Sequence, residues 1–349
     1  MRDLFLLSRE VPLSRQMLGR KNGGNIMGAA TSQPPTPNIT KACPTATTQS
    51  TGMTSNDKNS SSLHKAQWER RATWLSHLRE EKQRLQSSGV EGFDLLEQMA
   101  SLSIKHKLAT QKDRCEKCWH TRLHCICSRL ESFVMHKCTG SLDVNIFILM
   151  HHKEFMSAGN SAKLILQLFP YATKLYIFGR EGDIDLLFRD INSNNSKSIL
   201  LWPGKDAIST STLLEQINAG TSTSELSHKD RATTINAIVL DGTYSQARNM
   251  HKSLKKKWGN HLPNAVALRP ESESVFHRAK KNYGKAHLQQ HNLTSDGHDA
   301  VLRVSTAEAC GVLFYDLGLG DECIVDVVTK AVEINNDALK FARCNLTEG

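Results

Sequence analysis

In the stretch 235–247 an apolar, β-branched run ends abruptly in Asp241, Gly242 and Thr243. Apolar side chains fall on both alternating faces of 235–240, so this segment reads as a strand covered on two sides. Open α/β sheets take their ligands just beyond the carboxyl ends of such strands. Asp241 therefore stands where a carboxylate can accept a substrate proton, and Gly242 lets backbone or ligand come close. Basic residues follow at helical spacing. Arg248, Lys252, Lys255, Lys256 and Lys257 surround an apolar stripe of Ala247, Met250, Leu254 and Trp258. Cations in a last helical turn also complement the helix dipole, but their number favours a phosphate-facing surface.

A second chemical group is Cys115, Cys118, Cys125 and Cys127, spaced C-x2-C, six residues, C-x-C. Four thiolates can close a tetrahedral site and leave no open position, which suits a structural zinc rather than a catalytic one. The alternatives are chance clustering, a redox pair, or His120 or His124 in place of one cysteine. Of nine cysteines, these four crowd into thirteen residues and the rest are scattered, which fits a reducing compartment better than a disulfide scaffold. Three further groups lie at predicted element ends. His151, His152 and Glu154 are either metal ligands or, preferably, loop groups that position or cap the helix opening at Asn160. Pro203 and Gly204 are a turn after a buried strand, either punctuation or a cofactor loop. Ser305 and Thr306 open a helix whose amides would hold an anion, or else form an ordinary cap with Glu308.

These groups need elements to position them. Residues 1–61, rich in Thr, Ser, Asn, Pro and Gly, are expected to be disordered. The first nine residues read equally as an organellar presequence or as a leader without special meaning. A helical extension follows over 62–110, with one helix near 63–86 and another near 93–103. Trp68, Ala72, Leu75 and Leu78 are its docking stripe. Strands are expected at 144–150, 174–179, 198–202, 235–241 and 265–268. Helices lie between them, including one carrying Ile208, Leu213, Leu214 and Ile217, and an amphipathic helix closes the chain. Strand–helix alternation from about residue 144 gives an α/β domain with a largely parallel sheet, without internal repeats. The net charge of +9 points to a polyanionic partner, nucleic acid ahead of membrane. No apolar run approaches the roughly 20 residues of a membrane helix.

Taken together, five landmarks in register resemble the DTW-domain family, the tRNA-uridine aminocarboxypropyltransferases. They are Cys115–Cys127, His151–Glu154 with 160–163, 201–204, 240–247 and 305–309. The resemblance spans about 112–345 and makes 111–345 one domain, with the zinc element at 114–128. It implies a SPOUT-like fold with a C-terminal knot around S-adenosylmethionine. It also implies transfer of that cofactor's 3-amino-3-carboxypropyl group to N3 of a tRNA uridine. Asp241 is then the expected general base, and Thr243 would position the base or the amino-acid moiety. Leu201, Pro203, Gly204, Leu240, Ser305 and Thr306 would line the cofactor, and Arg248, Lys252, Lys256 and Arg278 would hold the RNA. Two positions depart from the family pattern. Tyr244 stands where Trp is usual, and His152 where Pro is usual.

Two rivals remain at this stage: a SPOUT-type RNA methyltransferase, and a zinc-containing RNA-binding protein without activity. A monomer in the nucleus or cytoplasm is expected, with an organelle left open.

Overall fold

The computed structural model describes residues 56–135, 143–192, 196–221, 234–268, 305–318 and 323–347. Nearly all of the expected leader, Arg278 with the polar stretch 277–298, and Arg303 lie outside these. Contacts divide the chain into Met1–Lys58 and Asn59–Gly349, and all of the described residues except the first three of α1 belong to the second unit.

Two helices come first, α1 (Asn56–Ser87) and α2 (Gly92–Thr110). The α1 helix begins at Asn56 rather than near Leu63. Its expected stripe is corrected in part: Ala72 and Leu78 are half-buried, but Trp68 and Leu75 are exposed. Further contacts come from Trp74, half-buried, whose ring stacks on His106 of α2 at 3.7 Å, and from Leu85, which is buried. A helix of mixed apolar residues presents more than one candidate stripe, and the strongest available contact selects among them.

From β1 onward strands and helices alternate. In chain order they are β1 (Asp143–His151), α3 (Ala162–Leu168), β2 (Thr173–Phe178), α4 (Asp183–Asn192), β3 (Lys197–Leu201) and β4 (Ile208–Ser209). Then come α5 (Thr210–Thr221), β5 (Thr234–Asp241), α6 (Tyr244–Trp258), β6 (Asn264–Ala267), α7 (Thr306–Asp316) and α8 (Cys323–Thr347). The strands form one sheet in the order β2-β1-β5-β3-β6-β4, and each adjoining pair is parallel. The expected α/β class with a parallel sheet holds. One detail is corrected: Ile208 pairs with Val266 as a short edge strand instead of joining the helix. Its β-branched side chain suits a pleated edge as well as a helix face.

Side-chain alternation sorts the central strands into two cores. Ile146, Ile148 and Met150 of β1, with Ile235, Ala237 and Val239 of β5, pack on the layer holding α3, α7 and α8. Phe147, Leu149, Ile238 and Leu240 face the opposite core, with Leu187 of α4 and Met250 and Leu254 of α6. A two-residue period puts 235, 237 and 239 on the first face, so Asp241 points to the α3–α7 side. This parity decides which groups meet the carboxylate.

Candidate functional site

The register brings the predicted groups to one edge of the sheet. Met150 of β1 pairs with Asp241 of β5, so His151 stands one step beyond, level with Gly242. On the other side Leu201 pairs with Val239, and the 202–204 turn leaves the sheet at the height of Leu240 to Gly242. Pro203 and Gly204 are exposed, Leu201 is half-buried and Leu240 is buried. Asp241 is thus at the carboxyl edge of the two central strands, where open parallel sheets take ligands.

The carboxylate itself is only 2% exposed. Asn160 Nδ2 donates to its Oδ2 at 2.5 Å, and Thr306 Oγ1 donates to Oδ1 at 2.7 Å. Asn160 comes from the loop after β1 and Thr306 from the first position of α7. One acid therefore ties together three segments that the sequence keeps far apart. Burial raises its pKa to about 6, against the pull of the Thr306 and Asn160 hydrogen bonds. Thr306 is half-buried, so its hydroxyl is the more open of the two donors.

Ser305 caps α7 in a reciprocal capping box. Its Oγ accepts from Glu308 N at 3.3 Å, and Glu308 Oε2 accepts from Ser305 N at 2.9 Å. Ala307 N reaches Ser161 Oγ at 3.4 Å. This start of helix has the geometry of an ordinary cap. Thr243 does the same for α6: Gln246 Oε1 accepts from Thr243 N at 2.6 Å, and Thr243 Oγ1 accepts from Gln246 N at 3.4 Å. Gly242 makes that turn fit, because a Cβ there would come within 2.9 Å of Gln246 Oε1.

His151 and His152 are both buried, with near-parallel rings 4.4 Å apart. Burial pushes His151 down to about 3 and His152 to about 4, so both are neutral imidazoles at physiological pH. Neither joins a metal-binding group among the described residues. Lys107 holds their loop: its ammonium donates to the carbonyls of His152, Lys153 and Phe155 at 3.2, 2.6 and 2.8 Å. Burial lowers Lys107 to about 8. Its role escaped sequence reading, since a lysine late in an amphipathic helix carries no mark of a distant loop. The link from Asn160 to Asp241 was equally hidden, although Asn160 does accept from Lys163 N at 3.2 Å as a helix-opening residue should.

At the α6 side, Arg248, Lys252 and Lys256 are exposed along one stripe, while Lys257 is drawn into a 2.8 Å ion pair with Asp185. The Arg248 guanidinium lies 4.6 Å from the centre of the Tyr244 ring.

The four cysteines converge. Their sulfur atoms all lie within 4.8 Å of one another, with Cys115 to Cys127 at 3.6 Å and Cys118 to Cys125 at 3.7 Å. A tetrahedron with metal–sulfur bonds of about 2.3 Å has edges of about 3.8 Å. The thiols therefore fit a four-sulfur metal centre. The loop is anchored around them: Trp119, Ile126 and Leu130 join the first core, and His120 Nε2 pairs with Asn335 Oδ1 of α8 at 2.9 Å. Burial lowers His120 to about 4, so it is a neutral imidazole, and its partner is the asparagine while the four sulfurs gather without it.

Comparison with known proteins agrees with this arrangement in one respect. Searches of curated proteins and of solved structures return no match. The family model of the DTW domain matches residues 112–289, just over half of the chain, from the cysteine cluster through Asp241 and beyond β6. With four cysteines, a parallel sheet and Asp241 at its carboxyl edge all inside or bordering that span, this chain belongs to the DTW-domain family.

Proposed function

We propose that this protein modifies tRNA, transferring the 3-amino-3-carboxypropyl group of S-adenosylmethionine to N3 of a uridine. The family is one associated with tRNA modification, which supports the general class. The observation that carries the finer reading is the Asp241 carboxylate, buried at the sheet edge with its pKa raised to about 6. Uridine N3 bears a proton and is a poor nucleophile until that proton leaves. A carboxylate with a pKa near neutrality is a far better acceptor than one at about 3.9.

Both Asp241 oxygens already accept a hydrogen bond, so the proton's route matters. The Thr306 hydroxyl bonds Oδ1 and is the less buried of the two donors. It can accept the N3 proton on its lone pair while passing its own proton to Oδ1. Asn160 keeps the second oxygen fixed, which holds the acid in one orientation. Thr243, engaged in capping α6, orients the start of that helix beside the reacting groups.

S-adenosylmethionine supplies an electrophilic carbon next to a sulfonium and a thioether leaving group. Leu201, Pro203, Gly204, Leu240 and Thr306 would line its place, as the exposed 203–204 turn beside a buried carboxylate allows. Ser305 would act through the cap it forms. Selecting the γ-carbon over the methyl is a matter of orientation, which a rigid sheet edge is suited to impose. Arg248, Lys252, Lys256 and Arg278 would hold the RNA backbone. Cys115, Cys118, Cys125 and Cys127 would hold a structural zinc, whose charge holds the thiolates together without an open position for chemistry. A SPOUT-like arrangement with a C-terminal knot belongs to the same proposal.

The test compares Asp241→Asn with the parent protein. An asparagine can accept from Asn160 and donate to Thr306, so the fold should survive. The expected result is tRNA binding within about twofold of the parent, with transfer lowered by at least the 10²-fold typical of a lost general base. Transfer at the parental rate would remove Asp241 from the mechanism.

A further inference from the structure

The reaction proposed above leaves an aromatic group at the start of α6 without a task. Trp202 leaves the end of β3 with its indole half-buried. Its ring is near-parallel to two rings of α6: Tyr244 at 6.2 Å and 6°, and His251 at 4.8 Å and 15°. The indole thus bridges residues two helical turns apart. Tyr244, beneath the Arg248 guanidinium, is 52% exposed, which is a large aromatic surface left to solvent. Arg248, Lys252 and Lys256 continue from it at four-residue spacing. Like charges at that spacing weaken a helix, so a polyanion along this face offsets a cost the free protein bears.

We propose that Trp202, Tyr244, Arg248 and His251 form a stacking platform for an unpaired base of the RNA substrate, with the exposed Tyr244 ring as the contact surface. Aromatic faces and guanidinium planes are the usual seats for splayed-out RNA bases, and adjacent cations track the backbone. The platform stands beside the 202–204 turn and two residues beyond Gly242. A base seated there lies next to the sheet edge that carries Asp241. A free nucleoside would offer the same π-face, but it has no use for three cations in a row. The inference rests on the RNA-substrate part of the proposed function and deepens it.

The test uses the full chain, a short unstructured oligouridylate and an RNA duplex of equal length, with affinity read by fluorescence anisotropy. Tyr244→Ala should weaken single-strand binding about tenfold while duplex binding stays within about twofold. Tyr244→Phe, which keeps the ring, should bind both as the parent does. Lys256→Ala should weaken both and reduce the salt dependence. Equal loss for both probes in Tyr244→Ala, no loss, or a parent that does not bind the single strand would overturn the platform. So would a variant that loses affinity for S-adenosylmethionine or adenosine but not for RNA. Binding is read without turnover, so the two ideas fail separately. A parent that stacks single strands yet transfers nothing defeats the reaction alone. A Tyr244→Ala variant with normal RNA affinity and normal KM for tRNA defeats the platform alone.

Discussion

At the scale of single residues, Asp241 controls what can be measured. Its folded pKa of about 6 lies above the ordinary 3.8. Between those values the folded protein binds more protons than the unfolded chain. Stability from this group is therefore full below about pH 4, falls as pH rises through 6, and is level above that. Asp241→Asn removes the charged form. The variant should be more stable than the parent at pH 7.5 by up to about 3 kcal/mol, with the difference shrinking toward pH 4. Urea unfolding at several pH values checks this, and a constant difference would contradict it. Catalysis has the opposite sign, because a base works when ionised. The rate in kcat/KM should rise to about pH 6 and then level. His151 and His152, held near 3 and 4 by burial, add no step above pH 5. A limb near 7 would point to another group.

Elements show how much the sequence could reveal. The β5 strand was legible because an eight-residue run buried on both faces has few other homes, but which core Asp241 faces emerged only from the packing. The cysteine spacing was legible because a metal knuckle is local. What stayed hidden were contacts across sequence, such as Asn160 to Asp241 and Lys107 to three carbonyls. No local rule pairs them. The docking face of α1 was read only in part, with Trp68 and Leu75 turned to solvent, because several apolar residues compete and only packing decides. Lys107 supports a prediction at this scale. It belongs to α2, outside the matched residues 112–289, yet it fastens the loop after β1. Lys107→Met should leave carbonyls without a donor and lower stability by about 1–3 kcal/mol, seen as a lower denaturant midpoint. Protection of the 152–155 amides from hydrogen exchange should fall with it. Unchanged protection would mean that the clamp is incidental. The cysteine loop yields another. Cys118→Ser should lose stoichiometric zinc by elemental analysis and lower Tm by several degrees, since Trp119 and Ile126 depend on that loop for their place in the core. Retained zinc would exclude the four-thiol centre.

Across the whole molecule, a net charge of +9 and a basic stripe on α6 predict salt-sensitive RNA binding. Lys252→Ala and Lys256→Ala should each reduce the slope of log affinity against log salt by about 1. A slope unchanged in both would place the RNA elsewhere. No helix among the described residues is long and apolar enough to cross a membrane. The loop after β1 and the start of α7 approach the same sheet edge, and Asp241 joins them through Asn160 and Thr306. The most direct measurement is to incubate the protein with unmodified tRNA and S-adenosylmethionine, digest the RNA, and weigh the nucleosides. One uridine should gain an aminocarboxypropyl group at N3, and Asp241→Asn should yield at least 10²-fold less in the same time. A uridine heavier by only a methyl group, or no modified nucleoside from correctly folded protein, would contradict the account.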